Sequence, residues 1–137
     1  MEIPQIDRSN YLKGLLITAK KNQQLTEKEK EIIRKFSNRL GFSQDFFEEV
    51  INNLLINKYI NEDPIKFSNI RIAISFIEDA LRLTLADEIF SESEIQWLRE
   101  TGKINSIAPE WIDKKLKTLK LKLHRPSGAE FALYSLI

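Results

Sequence analysis

Leu85-Ala86-Asp87-Glu88-Ile89-Phe90-Ser91-Glu92-Ser93-Glu94 lies between two helical patterns, and it has an echo at Lys20-Lys21-Asn22-Gln23-Gln24-Leu25-Thr26-Glu27-Lys28-Glu29. With Leu25 set on Phe90, Thr26 meets Ser91 and Glu29 meets Glu94. In both copies an apolar residue precedes a hydroxyl side chain, and a Glu follows three later. This is a staple and a capping box: the hydroxyl accepts from a free backbone N–H, and the Glu reaches back to the cap. Each stretch therefore predicts a helix junction.

The same offset extends outward without a gap. Tyr11 meets Phe76, Leu16 meets Leu81, Ile33 meets Leu98, Phe42 meets Ile107 and Phe46 meets Trp111. Matched caps, staples and core positions predict an internal repeat, about 9–56 and 68–121, within a single domain spanning 1–137. The expected fold is all-α: a helical bundle of two related three-helix units, with six to seven helices.

Individual helices follow from apolar spacing and end signals. After a short leader, Met1 to Arg8, Ser9 or Asn10 is placed to cap a first helix reaching about Lys21. The second runs from Glu27 to Leu40 and stops at Gly41. Ser43 caps the third, with Phe46, Phe47, Val50 and Ile51 facing inward. The longest starts at Ser68 or Asn69 and reaches Ala86; it is apolar over a wide arc and should be central. The fifth carries Ile95, Trp97, Leu98 and Ile104 inward, with Gly102 as a point of fraying. The sixth starts at Ala108-Pro109, with Trp111, Ile112, Leu116 and Leu119 inside. Leu119 to Leu123 alternates with period two, so a strand and the end of a basic helix both fit. The apolar residues from Ala129 to Ile137 predict that segment 122–137 docks on the core or on a partner.

Hydrophobic residues make up 42% and charged residues 30% of the 137, a balance that supports a folded core rather than disorder. The net charge of +1 gives no global attraction to nucleic acid or an anionic membrane. There is no Cys, which removes disulfides, thiolate metal sites and Cys nucleophiles. No secretory signal opens the sequence, and no apolar run nears the roughly 20 residues of a membrane span. A cytoplasmic protein is expected.

The second junction resembles the TerB-like family, the tellurite-resistance-associated helical domains also found in some DnaJ-like co-chaperones. That family carries Ala-Asp-Gly-x-(Ile/Val)-(Ser/Thr)-x-x-Glu between two helices. Here Ala86, Asp87, Ser91 and Glu94 match, Phe90 holds the aliphatic position, and Glu88 replaces the Gly. The first copy keeps Leu25, Thr26 and Glu29 but has Asn22 and Gln23 in place of Asp-Gly. The resemblance covers about residues 9 to 119. It implies a scaffold or binding domain, metal-linked or membrane-associated, in a stress response.

Candidate chemistry is sparse. Asp87, Glu88 and Glu94 form an acidic cluster that could hold a divalent metal weakly, with helix capping as the competing role. An EF-hand does not fit: with Asp87 as its fifth position and Glu94 as its twelfth, the first and third positions are Leu83 and Leu85, which offer no oxygen. His124 is the single histidine, so triads and zinc hydrolase sites are disfavoured. No Gly-rich phosphate loop is present. Lys114, Lys115, Lys117, Lys120, Lys122 and Arg125 form a basic run, open to phosphates of nucleic acid or a membrane surface or to solvent alone. The expected function is a non-enzymatic interaction or scaffold domain with a protein partner and no cofactor.

Overall fold

The computed structural model describes residues 2–20, 26–56, 62–86, 92–122 and 131–136. These form six long helices, α1 (Gln5–Lys20), α2 (Glu27–Arg39), α3 (Gln44–Ile56), α4 (Ile70–Ala86), α5 (Glu92–Ile104) and α6 (Pro109–Lys122), and a one-turn α7 (Leu133–Leu136). The described residues contain no strand. The fold is all-α. Among the described residues, no helix is long and apolar enough to cross a membrane.

The six long helices start in pairs that keep the offset between Leu25 and Phe90: Gln5 with Ile70, Glu27 with Glu92, Gln44 with Pro109. Their C-terminal turns repeat too. Gly41 (φ 94) and Ser106 (φ 64) both take the left-handed conformation. The next N–H in each case returns to a carbonyl five residues back, Phe42 to Ser37 and Ile107 to Gly102. This is the Schellman end, which turns the chain sharply after a helix. At the start of α2, Thr26 and Glu29 form the full capping box. Ser91, its counterpart before α5, lies outside the described residues.

α1 starts at Gln5, earlier than apolar spacing alone predicts. Pro4 accepts from the Arg8 N–H at 3.0 Å, and Ile3 is buried. The expected leader is therefore part of the packed structure. Asp7 is buried as well, and accepts from the Ser68 N–H at 3.0 Å and from the Ser68 hydroxyl. It thereby ties the entry of α1 to the entry of α4.

α1 and α4 are the central pair, and each is packed on several sides. Their close approach depends on Gly14. A Cβ there would stand 2.5 Å from Phe76 Cζ. The Phe76 ring fills that space and meets Tyr11 edge-on, with centroids 5.5 Å apart and planes at 84°. Phe67 and Trp97 complete the cluster around it. Edge-to-face pairs of this kind add roughly 0.5–1.5 kcal/mol each beyond area burial.

The segment from Glu62 to Phe67 is anchored on α5 and on Asn105, which follows it. Asn105 Nδ2 donates to the Ile65 and Thr101 carbonyls, and its Oδ1 accepts from the Phe67 N–H, all within 2.7–2.8 Å. Trp97 Nε1 donates to the Glu62 carbonyl at 2.7 Å. Phe131 and Leu133 are buried in the core, in the C-terminal turn that packs on α4 and on Phe36 of α2. The Phe131 ring meets Phe36 at 4.8 Å, and Tyr134 stacks on Phe36 at 5.5 Å.

Three further expectations change. Ile104 and Phe46, expected inside, are 42% and 41% exposed. Each sits at the edge of its helix's apolar arc, where spacing cannot separate rim from core. Gly102 does not fray α5, which continues through Ile104. It instead admits α6, because a Cβ would stand 2.6 Å from Ile112 Cδ1. Finally, the alternating Leu119 to Lys122 is helical, with Leu121 76% exposed.

Candidate functional site

Two features depart from plain helix packing. The first is a buried carboxylate on α4. Asp79 falls on the inner stripe of that helix, seven residues after Ile72, three after Phe76 and four before Leu83, and it is fully buried. The Tyr11 hydroxyl donates to its Oδ2, and the Leu133 N–H donates to the same oxygen at 2.9 Å. The Ala132 N–H donates to Oδ1. The Ser75 hydroxyl lies 2.9 Å from the Tyr11 oxygen; since the Tyr11 proton goes to Asp79, Ser75 donates here. Arg82 Nη1 stands 3.6 Å from Asp79 Oδ1 and 3.6 Å from Glu78 Oε2.

The carboxylate thus joins three elements: α1 through Tyr11, α4 through its own backbone, and the C-terminal turn through two N–H groups. It caps α7 from outside the helix. Burial pushes the Asp79 carboxyl up from 3.8 to about 7, against the opposing pull of Tyr11, the two backbone N–H groups and Arg82. Burial likewise pushes the Tyr11 hydroxyl well above its ordinary value, with the neighbouring Asp79 charge adding to the shift. Tyr11, Ser75 and Asp79 are all buried, so the cluster holds the fold together and is sensitive to its proton.

The second feature is a groove. Leu12, Leu16 and Ile17 of α1 face Phe42 and the α3 residues Phe46 and Val50 across a cavity of about 220 Å3. Ser9, Lys13 and Asn53 form its polar rim. Phe46 stacks on Phe42 at 5.0 Å and keeps one face open to solvent. None of the residues around Asp79 lines this groove. It is apolar, bounded by two helices, and carries one cation at its edge.

The acidic cluster expected to bind metal is only partly visible. Asp87 and Glu88 lie outside the described residues. Glu94 is buried at the start of α5, and its Oε2 lies 2.9 Å from the Thr84 hydroxyl, which is also 3.0 Å from the Ala80 carbonyl. Glu94 thereby links α5 to α4. Among the described residues, no three His, Cys, Asp or Glu side chains gather as a metal site needs.

The basic run is divided. Lys115 turns back to α4, with its Nζ 3.3 Å from Glu78 Oε1. Lys114, Lys117 and Lys120 are exposed on α6. The Lys122 side chain, His124 and Arg125 lie outside what the structure describes.

Asp79 and the groove both escape pattern reading. Asp79 has a usable signal, a carboxylate in phase with Ile72, Phe76 and Leu83. The groove has none, since Leu16, Phe46 and Val50 read as ordinary core. Compared with family models, with curated proteins and with solved structures, the chain matches none.

Proposed function

We propose that this chain is a non-enzymatic interaction domain, of the TerB-like type that its second junction resembles, and that its contact surface is the groove between α1 and α3. One contrast carries the reading. The buried ionisable cluster at Asp79 is enclosed and engaged by other parts of the fold, whereas an apolar groove with a half-open Phe46 faces solvent. An exposed apolar concavity with a few polar groups at its rim is the usual form of a binding site.

Native mass spectrometry of the full chain purified from its own host tests this, with wild type and Phe46→Ser compared. The expected result is a bound partner or ligand retained by wild type and lost from the variant, with the fold intact by circular dichroism. Identical spectra from both proteins would remove the groove as the contact surface. Calorimetric titration with calcium, magnesium and zinc addresses the acidic junction in parallel. Heat that disappears in Asp87→Asn would replace this reading with a divalent-ion one.

A further inference from the structure

Aligned through the repeat, the two units differ at one pair of helices. In the second unit α6 packs directly on α4, while in the first α3 stands further off α1. In the second unit an ion pair spans the two helices: Lys115 on α6 stands 3.3 Å from Glu78 on α4. The first unit has Val50 at the Lys115 position and Lys13 at the Glu78 position. Its first helix thus carries a cation where the other unit carries an anion, and the α3 position that matches Lys115 is the uncharged Val50, the acidic residues of that helix being Asp45, Glu48 and Glu49. Arg82, which also faces Glu78, is replaced by Ile17. The counterpart of the closed ionic seam is therefore an apolar slot edged by a lysine that makes no ion pair among the described residues.

The geometry points to this groove as a binding site for a medium-chain carboxylate, with its chain against Leu16, Ile17, Phe46 and Val50 and its carboxylate at Lys13. The inference rests on the groove being the contact surface and adds the chemistry of the occupant. The ligand would supply the anion that the second unit supplies from Glu78. Size sets the chain length. A dry cavity of about 150 Å3 lined by Leu, Ile and Phe admits benzene, so about 220 Å3 admits roughly nine carbons. Burial of each methylene should raise affinity about fourfold until the slot is full. The exposed Lys13 pair should add no more than about fivefold.

The experiment is isothermal titration of the full chain with hexanoate, octanoate, nonanoate and dodecanoate, kept below micelle-forming concentrations. Affinity should climb with length and level off near nine carbons. Lys13→Glu, which removes an attraction and adds a repulsion of similar size, should weaken nonanoate several-fold and strengthen a nonyl trimethylammonium probe. The double variant K13E/V50K copies the Glu78–Lys115 pair into the first unit and should abolish nonanoate binding, with a far-UV spectrum and melting temperature that confirm folding. Binding that ignores chain length or head-group charge overturns the proposal, as does full binding by K13E/V50K. Cosedimentation with phosphatidylglycerol vesicles in the absence of nonanoate binding overturns it in favour of a membrane surface. If nonanoate fails while Phe46→Ser still loses a protein from the native spectrum, the carboxylate is wrong and the groove stands. If both fail, neither reading survives.

Discussion

Tyr11 on α1 donates its phenolic proton to Asp79 on α4. Across the same helix pair, the Phe76 ring of α4 fills the space over Gly14 of α1. Tyr11 and Phe76 are counterparts in the repeat, as are Gly14 and Asp79. The two contacts are thus reciprocal: an aromatic ring from each central helix lands on the matching position of the other. One ring meets a space left by a missing Cβ, and the other carries a hydroxyl to an acid. The rest of the Asp79 cluster follows from that difference, because a buried carboxylate needs donors and the C-terminal turn provides two.

The first prediction concerns pH. In the unfolded chain Asp79 titrates near 3.8, and in the folded chain near 7. Below the lower value both forms are protonated and the contribution to stability is whole. Between the two, only the unfolded chain releases its proton, so stability falls as pH rises; above about 7 the loss is complete. The full loss is on the order of 4 kcal/mol. Urea unfolding at pH 4 to 8 should show wild type losing stability relative to Asp79→Asn across this window. A difference that stays flat with pH would show that Asp79 does not titrate in the folded state.

The central crossing gives the second. Gly14→Ala gains helix propensity of roughly 1 kcal/mol but drives a methyl into a ring already held by Tyr11, Phe67 and Trp97. A net loss of about 1–2 kcal/mol is expected from chemical denaturation. Gly102→Ala meets the far end of the Ile112 side chain, which can rotate. It should cost less, about 1 kcal/mol or under. Equal costs at the two sites would mean that Phe76 gives way as readily as Ile112.

The helix ends give the third. Ser106 holds φ 64 where the first unit uses Gly41. A left-handed residue with a Cβ costs about 1 kcal/mol. Ser106→Gly should therefore stabilise the protein by about 0.5–1 kcal/mol, a rise in melting temperature visible by calorimetry. Gly41→Ala should lower stability by a similar amount. Unchanged melting by Ser106→Gly would show that the serine side chain offsets its own backbone cost.

The fourth concerns the C-terminal turn. Phe131 is 1% exposed and packs on Phe36. Phe131→Ala should cost about 3–5 kcal/mol, as for other buried rings. Tyr11→Phe removes one donor from Asp79 and should cost about 1–3 kcal/mol. Phe131 anchors the turn whose Ala132 and Leu133 N–H groups donate to the carboxylate that Tyr11 also reaches, so the sum of the two costs should exceed that of the double variant, by urea unfolding. Strict additivity would separate the ring packing from the Asp79 tie.

Much of this architecture could be read from the chain, and the reason is local. Thr26 with Glu29, Gly41, Ser43 and Pro109 act within a few residues of themselves, so their signals survive without the tertiary structure. What escaped reading depends on partners far away in sequence. Asp7 is buried where it accepts from Ser68, 61 residues away, and α1 begins before its apolar pattern does. Asp79 finds Tyr11 at a separation of 68 residues and Leu133 at 54. Phe46 and Ile104 look like core on a helical wheel, yet both keep a large exposed fraction. The groove beside Phe46 exists because α3 stands off α1, a distance that spacing within α3 does not encode.

The reciprocal α1–α4 crossing carries a further consequence. Each half presents to the other the same kind of surface, so a half from one molecule can receive the opposite half of a second without any new contact being invented. Such an exchange trades an intramolecular pairing for an intermolecular one and is governed by protein concentration. Strain placed in the connection between α3 and α4 would favour entwined dimers over monomers, with the α1–α4 contacts preserved and the chain tracing altered.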